Sequence, residues 1–367
     1  MRWHFHYPKR TSFHPPDLES PGLGGSEASL VLLTRALAAR GHHVEVFNCC
    51  YRPGVYDGVT WRMTWELDTA PAPDVAVAVR FDEALWPADS RAGRHLFWML
   101  DDRPRGPAAF TNRFGSRGGT VVIASQAMQN RIDAHDPTIP THLIPLPVET
   151  DRYTRPIENR APICLYASMP NRGLDAALAL WPRVRAAVPD AELWITSGWQ
   201  LWGFTNSESD DRWTQLLGSN ALPAGVRLLG IRPRSELIEI QQQAALTLYP
   251  CRFPEMFCLS AAESAAAGTP VITSPIDALT ERVHHGHTGL LIDGDISHLN
   301  TQAAFADATI KLLKNPSCRE TLAAAARAET GNLSPDKMAA AWETVTQRLT
   351  PPRRAKAVRA ITHFPPN

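Results

Sequence analysis

Short runs rich in β-branched and aromatic residues alternate with helical stretches along this chain, and the alternation starts twice. In the first half "MRWHFHYP", "HHVEVFNC", "DVAVAVRF", "RHLFWML", "TVVIASQ" and "HLIPLPV" read as strands. A Pro-rich loop from Lys9 to Gly25 precedes the amphipathic helix "SEASLVLLTRALAARG", which stops at Gly41. After "LPVETDRYTRP" the pattern begins again with "PICLYAS", "LDAALALWPRVRAAVP" and "AELWITSG". "VRLLGI", "RSELIEIQQQA", "ALTLYP", a helix around Ser264, "TPVITS" and "TGLLIDG" continue it, and long helical stretches close the chain. Strands separated by helices become neighbours by running parallel, so each set predicts a doubly wound α/β layer. The expected fold class is therefore α/β, with two Rossmann-like domains facing each other across a cleft. Such sheets bind ligands beyond the carboxyl ends of their strands.

Length agrees, since 367 residues exceed what one hydrophobic core usually serves. The restart at Pro147 predicts domains over 1–147 and 148–333. Charge is balanced, with 37 basic and 37 acidic residues, which gives no reason to expect a nucleic-acid partner. Cys49, Cys50, Cys164, Cys251, Cys258 and Cys318 form no C-x-x-C pair, so reduced thiols are expected in place of a metal site. The first residues lack the apolar run of a signal peptide, and no stretch reaches the roughly 18–20 apolar residues that span a bilayer. The expected location is cytoplasmic. The basic tail "PPRRAKAVRA" reads as solvated, and a peripheral membrane contact has no support in the sequence.

Three stretches carry candidate chemistry. In "GLGGSE", glycines before a helix let backbone approach a ligand and point free N–H groups at an anion. A dinucleotide fingerprint is the rival reading, and Gly22 and Gly24 fit its spacing, but Glu27 stands at its third glycine and the loop does not follow its strand at once. The duller alternative is a loop with Ser26 as helix cap. Arg172, beside Gly173 at a strand-to-helix turn, offers a fixed positive charge to a phosphate. In "CRFPEMFCLSAAESAAAGTPVI", Glu255 and Glu263 stand in apolar surroundings. "SAAE" is a capping-box pattern that gives Glu263 a local reason to exist, with Ser260 as cap and Gly268 ending the helix. Glu255, in a loop after Pro254, has no local reason and suits hydrogen bonding to sugar hydroxyls beside a helix N-terminus. "SESDD" at 207–211 reads as a solvated loop.

The segment "PEMFCLSAAESAAAGTPVITSPIDALTERVHHGHTGLLI" resembles the signature of the family-4 retaining glycosyltransferases, or glycosyl transferases group 1, which have the GT-B fold. "GGSEASLVLLTRALAARGHHVEVF" and "VRLLGIRPRSEL" extend the resemblance over most of the chain. It implies that Glu255 holds donor-sugar hydroxyls and Glu263 the ribose. Arg172 would replace the family's diphosphate-binding lysine. Met256, Phe257, Cys258 and Leu259 would offer backbone N–H groups, Gly24 and Gly25 would approach the diphosphate from the other domain, and Ile231 would lie near the base. It also implies that a last helix, within 334–367, packs back on the first domain.

Departures from the family pattern are visible. Ser168 in "YASMP" is the one polar candidate where a second basic residue is common. Cys258 replaces a glycine, which requires ordinary backbone angles. Leu100 stands where many relatives have a histidine, leaving Asp101 as the candidate for positioning the acceptor; Asp101 and Asp102 otherwise merely start a loop. His14, Arg80 and Arg103 match no pattern. The expected activity is transfer of a sugar from a nucleotide-diphosphate sugar to a sugar, lipid-linked or small-molecule acceptor, with retained configuration and neither metal nor cofactor. The alternatives are a non-catalytic sugar-nucleotide-binding protein and a nucleotide-sugar epimerase.

Overall fold

The computed structural model describes residues 1–8, 12–81, 92–101, 119–217 and 222–349. Arg103, Asp102 and the basic tail lie outside them. The first sheet contains β1 (Arg2–Tyr7), β2 (His43–Asn48), β3 (Gly54–Tyr56), β4 (Val59–Met63), β5 (Val75–Val79), β6 (Arg94–Trp98), β7 (Thr120–Ile123) and β8 (Thr141–Leu143). The second contains β9 (Ile163–Tyr166), β10 (Glu192–Ile195), β11 (Val226–Leu228), β12 (Leu246–Tyr249), β13 (Val271–Thr273) and β14 (Gly289–Leu291). Around them lie α1 (Gly25–Ala39), α2 (Gln126–His135), α3 (Leu174–Ala187), α4 (Asn206–Leu217), α5 (Arg234–Gln243), α6 (Leu259–Ala266), α7 (Leu279–Arg282), α8 (Leu299–Lys314), α9 (Pro316–Thr330) and α10 (Pro335–Arg348).

Strand order is β3-β4-β2-β1-β5-β6-β7-β8 in the first sheet and β11-β10-β9-β12-β13-β14 in the second. Among the described strands every pairing is parallel except β3 with β4. Both sheets reverse direction in mid-order, after β1 and after β9, and the loops leaving those strands open a crevice. The β3–β4 hairpin is additional to the strands expected from the sequence, and "YDGV" carries its signal: Asp57 and Gly58 adopt φ of 50° and 78°, as a two-residue type I′ turn requires. The second difference is at 207–211, which is part of α4. Thr205 and Glu208 start that helix, and its acidic residues lie on an amphipathic surface helix.

The chain crosses between the layers at two adjacent points, where the Val148 N–H donates to the Leu333 carbonyl at 2.8 Å. Beyond the second crossing, α10 lies on the first sheet beside α1. Trp342 is buried edge-on against Trp98, with centroids 5.2 Å apart, and touches Trp3 and Phe5. Arg40 at the end of α1 forks onto Glu343 at 2.9 Å through Nε and Nη2. The apolar core of the first layer continues through Met256, Phe257 and Ala262 at the start of α6, so the layers touch beneath the cleft. Glu281 of α7 adds a polar contact, accepting the N–H groups of Gln126 and Ala127 at the N-terminus of α2. Among the described residues no helix is long and apolar enough to cross a membrane.

Candidate functional site

A cleft of about 820 Å³ lies between the carboxyl ends of the two sheets. The glycine loop and the start of α1, the loops after β5 and β6, and the loops after β9 to β12 line it. Arg172, Glu255, Glu263, Asp101, Gly24, Gly25, Ser168, Ile231 and Met256 to Leu259 all lie on its walls.

On the second sheet's side, Glu255 is buried, and its Oε1 accepts Arg172 Nη1 at 2.6 Å and the Tyr249 hydroxyl at 2.5 Å. Gly173 makes this alignment possible. At φ 134° it presses against β12's exit, where a Cβ would overlap the Pro250 carbonyl. Arg172 also stacks on Phe253, 4.6 Å from the ring centroid. Burial alone would lower the Arg172 pKa, and the Glu255 carboxylate outweighs it and holds it above the ordinary value. Burial, then Glu255, raise the Tyr249 phenol well above its usual range, so it stays a donor. Ser168 Oγ donates to the same phenol oxygen at 3.1 Å, joining Ser168 to Glu255 through Tyr249.

Eight positions along, Glu263 is also buried. Its Oε1 accepts Arg234 Nη1 at 2.6 Å, and its Oε2 accepts Gln241 Nε2 at 3.0 Å. Between the two glutamates, α6 begins at Leu259, and Leu259 and Ser260 of its first turn line the cleft. Ile231 packs between Gly198 and Gly22, at the cleft's other end. Gly22 has φ 119°, and a Cβ there would come within 2.9 Å of the Arg232 carbonyl, so the glycine loop contacts the opposite wall directly.

On the first sheet's side, Gly24 caps α1 and Gly25 is its first residue; Ser26 lies inside the helix. Behind them Tyr7 donates to Glu27 Oε1 at 2.6 Å, and Arg80 Nη1 lies 3.6 Å from the same oxygen. Arg80, at φ 67°, forks onto Asp101 through Nε at 2.8 Å and Nη2 at 3.2 Å. Asp101 is thus held by an arginine at the cleft wall. Arg80 matched no sequence pattern, and its backbone conformation is visible only in the fold. Among the described residues, no three His, Cys, Asp or Glu side chains are arranged to hold a metal ion.

Residues 161–315, which contain β9 to α8, match the family described as Glycosyl transferases group 1. That segment is a glycosyl transferases group 1 domain. Among curated proteins, the D-inositol 3-phosphate glycosyltransferase of Corynebacterium glutamicum is 40% identical over 94 residues, which are 26% of this chain and 21% of that protein. The enzyme of the same name from Stackebrandtia nassauensis is 31% identical over 158 residues, 41% of this chain and 34% of that one. The matches therefore span about a third or less of those relatives' length. Solved structures match almost throughout. Anabaena HepE in complex with UDP-glucose has a TM-score of 0.71 at 17% identity, covering 95% of this chain and 100% of that one. Sucrose-phosphate synthase from Thermosynechococcus elongatus has a TM-score of 0.68 at 17% identity, covering 95% and 98%. The chain has the two-layer GT-B fold.

Two sequence expectations inside the group 1 domain need correction. Ser260 and Glu263 do not form a capping box. The cap of α6 is Cys258, Ser260 lies in the first turn, and the Glu263 carboxylate turns away to the buried Arg234. A buried cation is a stronger partner than the helix's own N–H. Nor does Cys258 have ordinary backbone angles. At φ 63° and ψ 75° it is left-handed, a conformation that costs a non-glycine residue about 1–2 kcal/mol. Burial, then Glu255, raise its thiol pKa well above the usual value, so it remains a neutral thiol. Tyr249, Arg234 and Gln241 were not singled out in the sequence. Their only signal is burial of polar atoms beside the two glutamates, which the tertiary fold creates.

Proposed function

We propose that the protein is a glycosyltransferase that moves a sugar from a nucleoside diphosphate sugar to an acceptor hydroxyl, with retained anomeric configuration and no metal. One observation carries this reading: the two buried glutamates flank the N-terminus of α6 within the group 1 domain, and Glu255 is paired with Arg172. Glu255 holds hydroxyls of the donor sugar, and Glu263 holds the ribose. Arg172 and the first N–H groups of α6 stabilise the charge that develops on the departing diphosphate. In the transfer, the bond from the anomeric carbon to the phosphate oxygen breaks. The acceptor oxygen bonds to the same face of that carbon, and the acceptor proton passes to the leaving phosphate. Positioning and charge stabilisation are the protein's contributions.

The acceptor is a hydroxyl of a sugar, a lipid-linked glycan or a small molecule. Asp101, held by Arg80, is the side chain that orients it. UDP-glucose is the first donor to test, because the similar HepE structure is a complex with it. The experiment is release of nucleoside diphosphate from a panel of donors and acceptors, with the product anomer read by NMR. Glu255→Gln should lower turnover about a hundredfold or more. Equal turnover by this variant, or an inverted product, would refute the reading.

A further inference from the structure

Arg234 opens α5 and is only 5% exposed. It joins two carboxylates far apart in the chain: Nε donates to Glu149 Oε2 at 2.9 Å, and Nη1 donates to Glu263 Oε1 at 2.6 Å. Glu149 belongs to the segment that crosses between the sheets, where Arg152 Nη1 also reaches Glu19 Oε1 at 2.8 Å. The Arg234 backbone N–H donates to the Glu19 carbonyl at 3.1 Å. Arg234 is therefore held by the crossing segment on one side and by a first-layer loop on the other. Its remaining nitrogen, Nη2, is shielded from water and makes no hydrogen bond. A buried cationic donor without an acceptor is costly, and it is rare in folded proteins.

Arg234 lines the same cleft as Glu263. Each Glu263 oxygen accepts one N–H, leaving each a lone pair for a further donor. A ribose diol needs both kinds of partner, because each hydroxyl donates once and also accepts. The carboxylate satisfies only the donating half. We propose that Arg234 supplies the other half: the entering ribose displaces the groups that shield Nη2, which then donates to a ribose hydroxyl oxygen while Glu263 accepts from the diol. Its bond to Glu149 holds the guanidinium in place and ties the occupied site to the segment between the layers. This inference rests on the nucleotide-sugar reading and adds a residue that reads the ribose. Lysine cannot replace it, because a single ammonium lacks the planar fork that spans two carboxylates and a hydroxyl.

Calorimetry on the full chain tests it, using whichever of UDP, GDP and ADP binds, together with its 2′-deoxy and 3′-deoxy forms. The unaltered protein should prefer the ribonucleotide to at least one deoxy form by about tenfold or more. Arg234→Lys should lose most of that preference. A purely structural arginine predicts otherwise: affinity falls equally for all three ligands and the ratio survives, which overturns the proposal. Equal binding of all three by the unaltered protein overturns it without any variant. If Arg234→Lys does not fold, Glu149→Ala decides, because removing the acceptor of Nε lets the guanidinium leave the ribose; an unchanged preference there also overturns the proposal. Failure of the unaltered protein to bind any of the three diphosphates refutes the nucleotide-sugar reading itself, and this inference with it.

Discussion

Thr205–Glu208 and Ser260–Glu263 share one spacing, a hydroxyl residue followed three positions later by glutamate at the start of a helix. In the first pair the pattern acts locally. Glu208 Oε2 accepts the Thr205 N–H at 2.8 Å, and the Glu208 N–H points back to Thr205 Oγ1 at 3.4 Å. The Thr205 hydroxyl, which donates to Glu208 Oε2 at 2.7 Å, and then the Thr205 N–H hold the Glu208 carboxyl below its ordinary pKa. In the second pair the glutamate ignores its serine and takes Arg234 and Gln241. The difference is burial. Glu208 is on the surface, where water competes for every charge and only the adjacent backbone is fixed in place. Glu263 is buried, where an ionised carboxylate needs a charged partner and finds one on another helix. A helix-start motif thus describes what a side chain does when nothing stronger is nearby.

The largest test of that contrast is Glu263→Ala. It leaves Arg234 buried with one of its two carboxylates, and should destabilise the protein by about 3–5 kcal/mol in urea unfolding. If Glu263→Ala costs no more than a surface substitution, burial is not what separates the two motifs. The next effect concerns the cap that replaced Ser260. Cys258→Val puts a β-branched side chain in a left-handed conformation and should cost about 2 kcal/mol. Cys258→Gly should stay within about 1 kcal/mol, since relief of the backbone offsets lost packing. A smaller effect is expected at the working capping box, where Thr205→Ala should lower the melting temperature by about 2 °C. Smallest of all is Ser260→Ala, which should change stability by less than about 0.5 kcal/mol. A Ser260 effect matching that of Thr205 would mean that the second motif caps its helix after all.

Local patterns made much of the architecture legible. Periodicity and the second start of the β-α alternation lead to two parallel layers, because covered parallel strands need apolar runs separated by helices. The hairpin at Asp57–Gly58 carries an equally local signal, although its strands are short and lie at the sheet's edge. The acidic run at 207–211 has the charge of a solvated loop, yet the helix start at Thr205 beside it fixes the backbone as helix. At the site, Arg172 and Glu255 carry their own local signals, a turn glycine and an unexplained carboxylate. Arg80, Tyr249 and Arg234 carry none, because their partners come from distant elements.

The residue order by itself determined most of the strands and helices, that they form two layers, and that a short helix begins between two glutamates. Those properties follow from periodicity and turn chemistry over a few residues. Only the tertiary structure decided what each glutamate touches, that Cys258 is left-handed, and that Arg234 spans Glu149 and Glu263. Partner choice for a buried charge depends on which groups long-range packing brings within 3 Å or so, where low dielectric makes one good ion pair outweigh any local alternative.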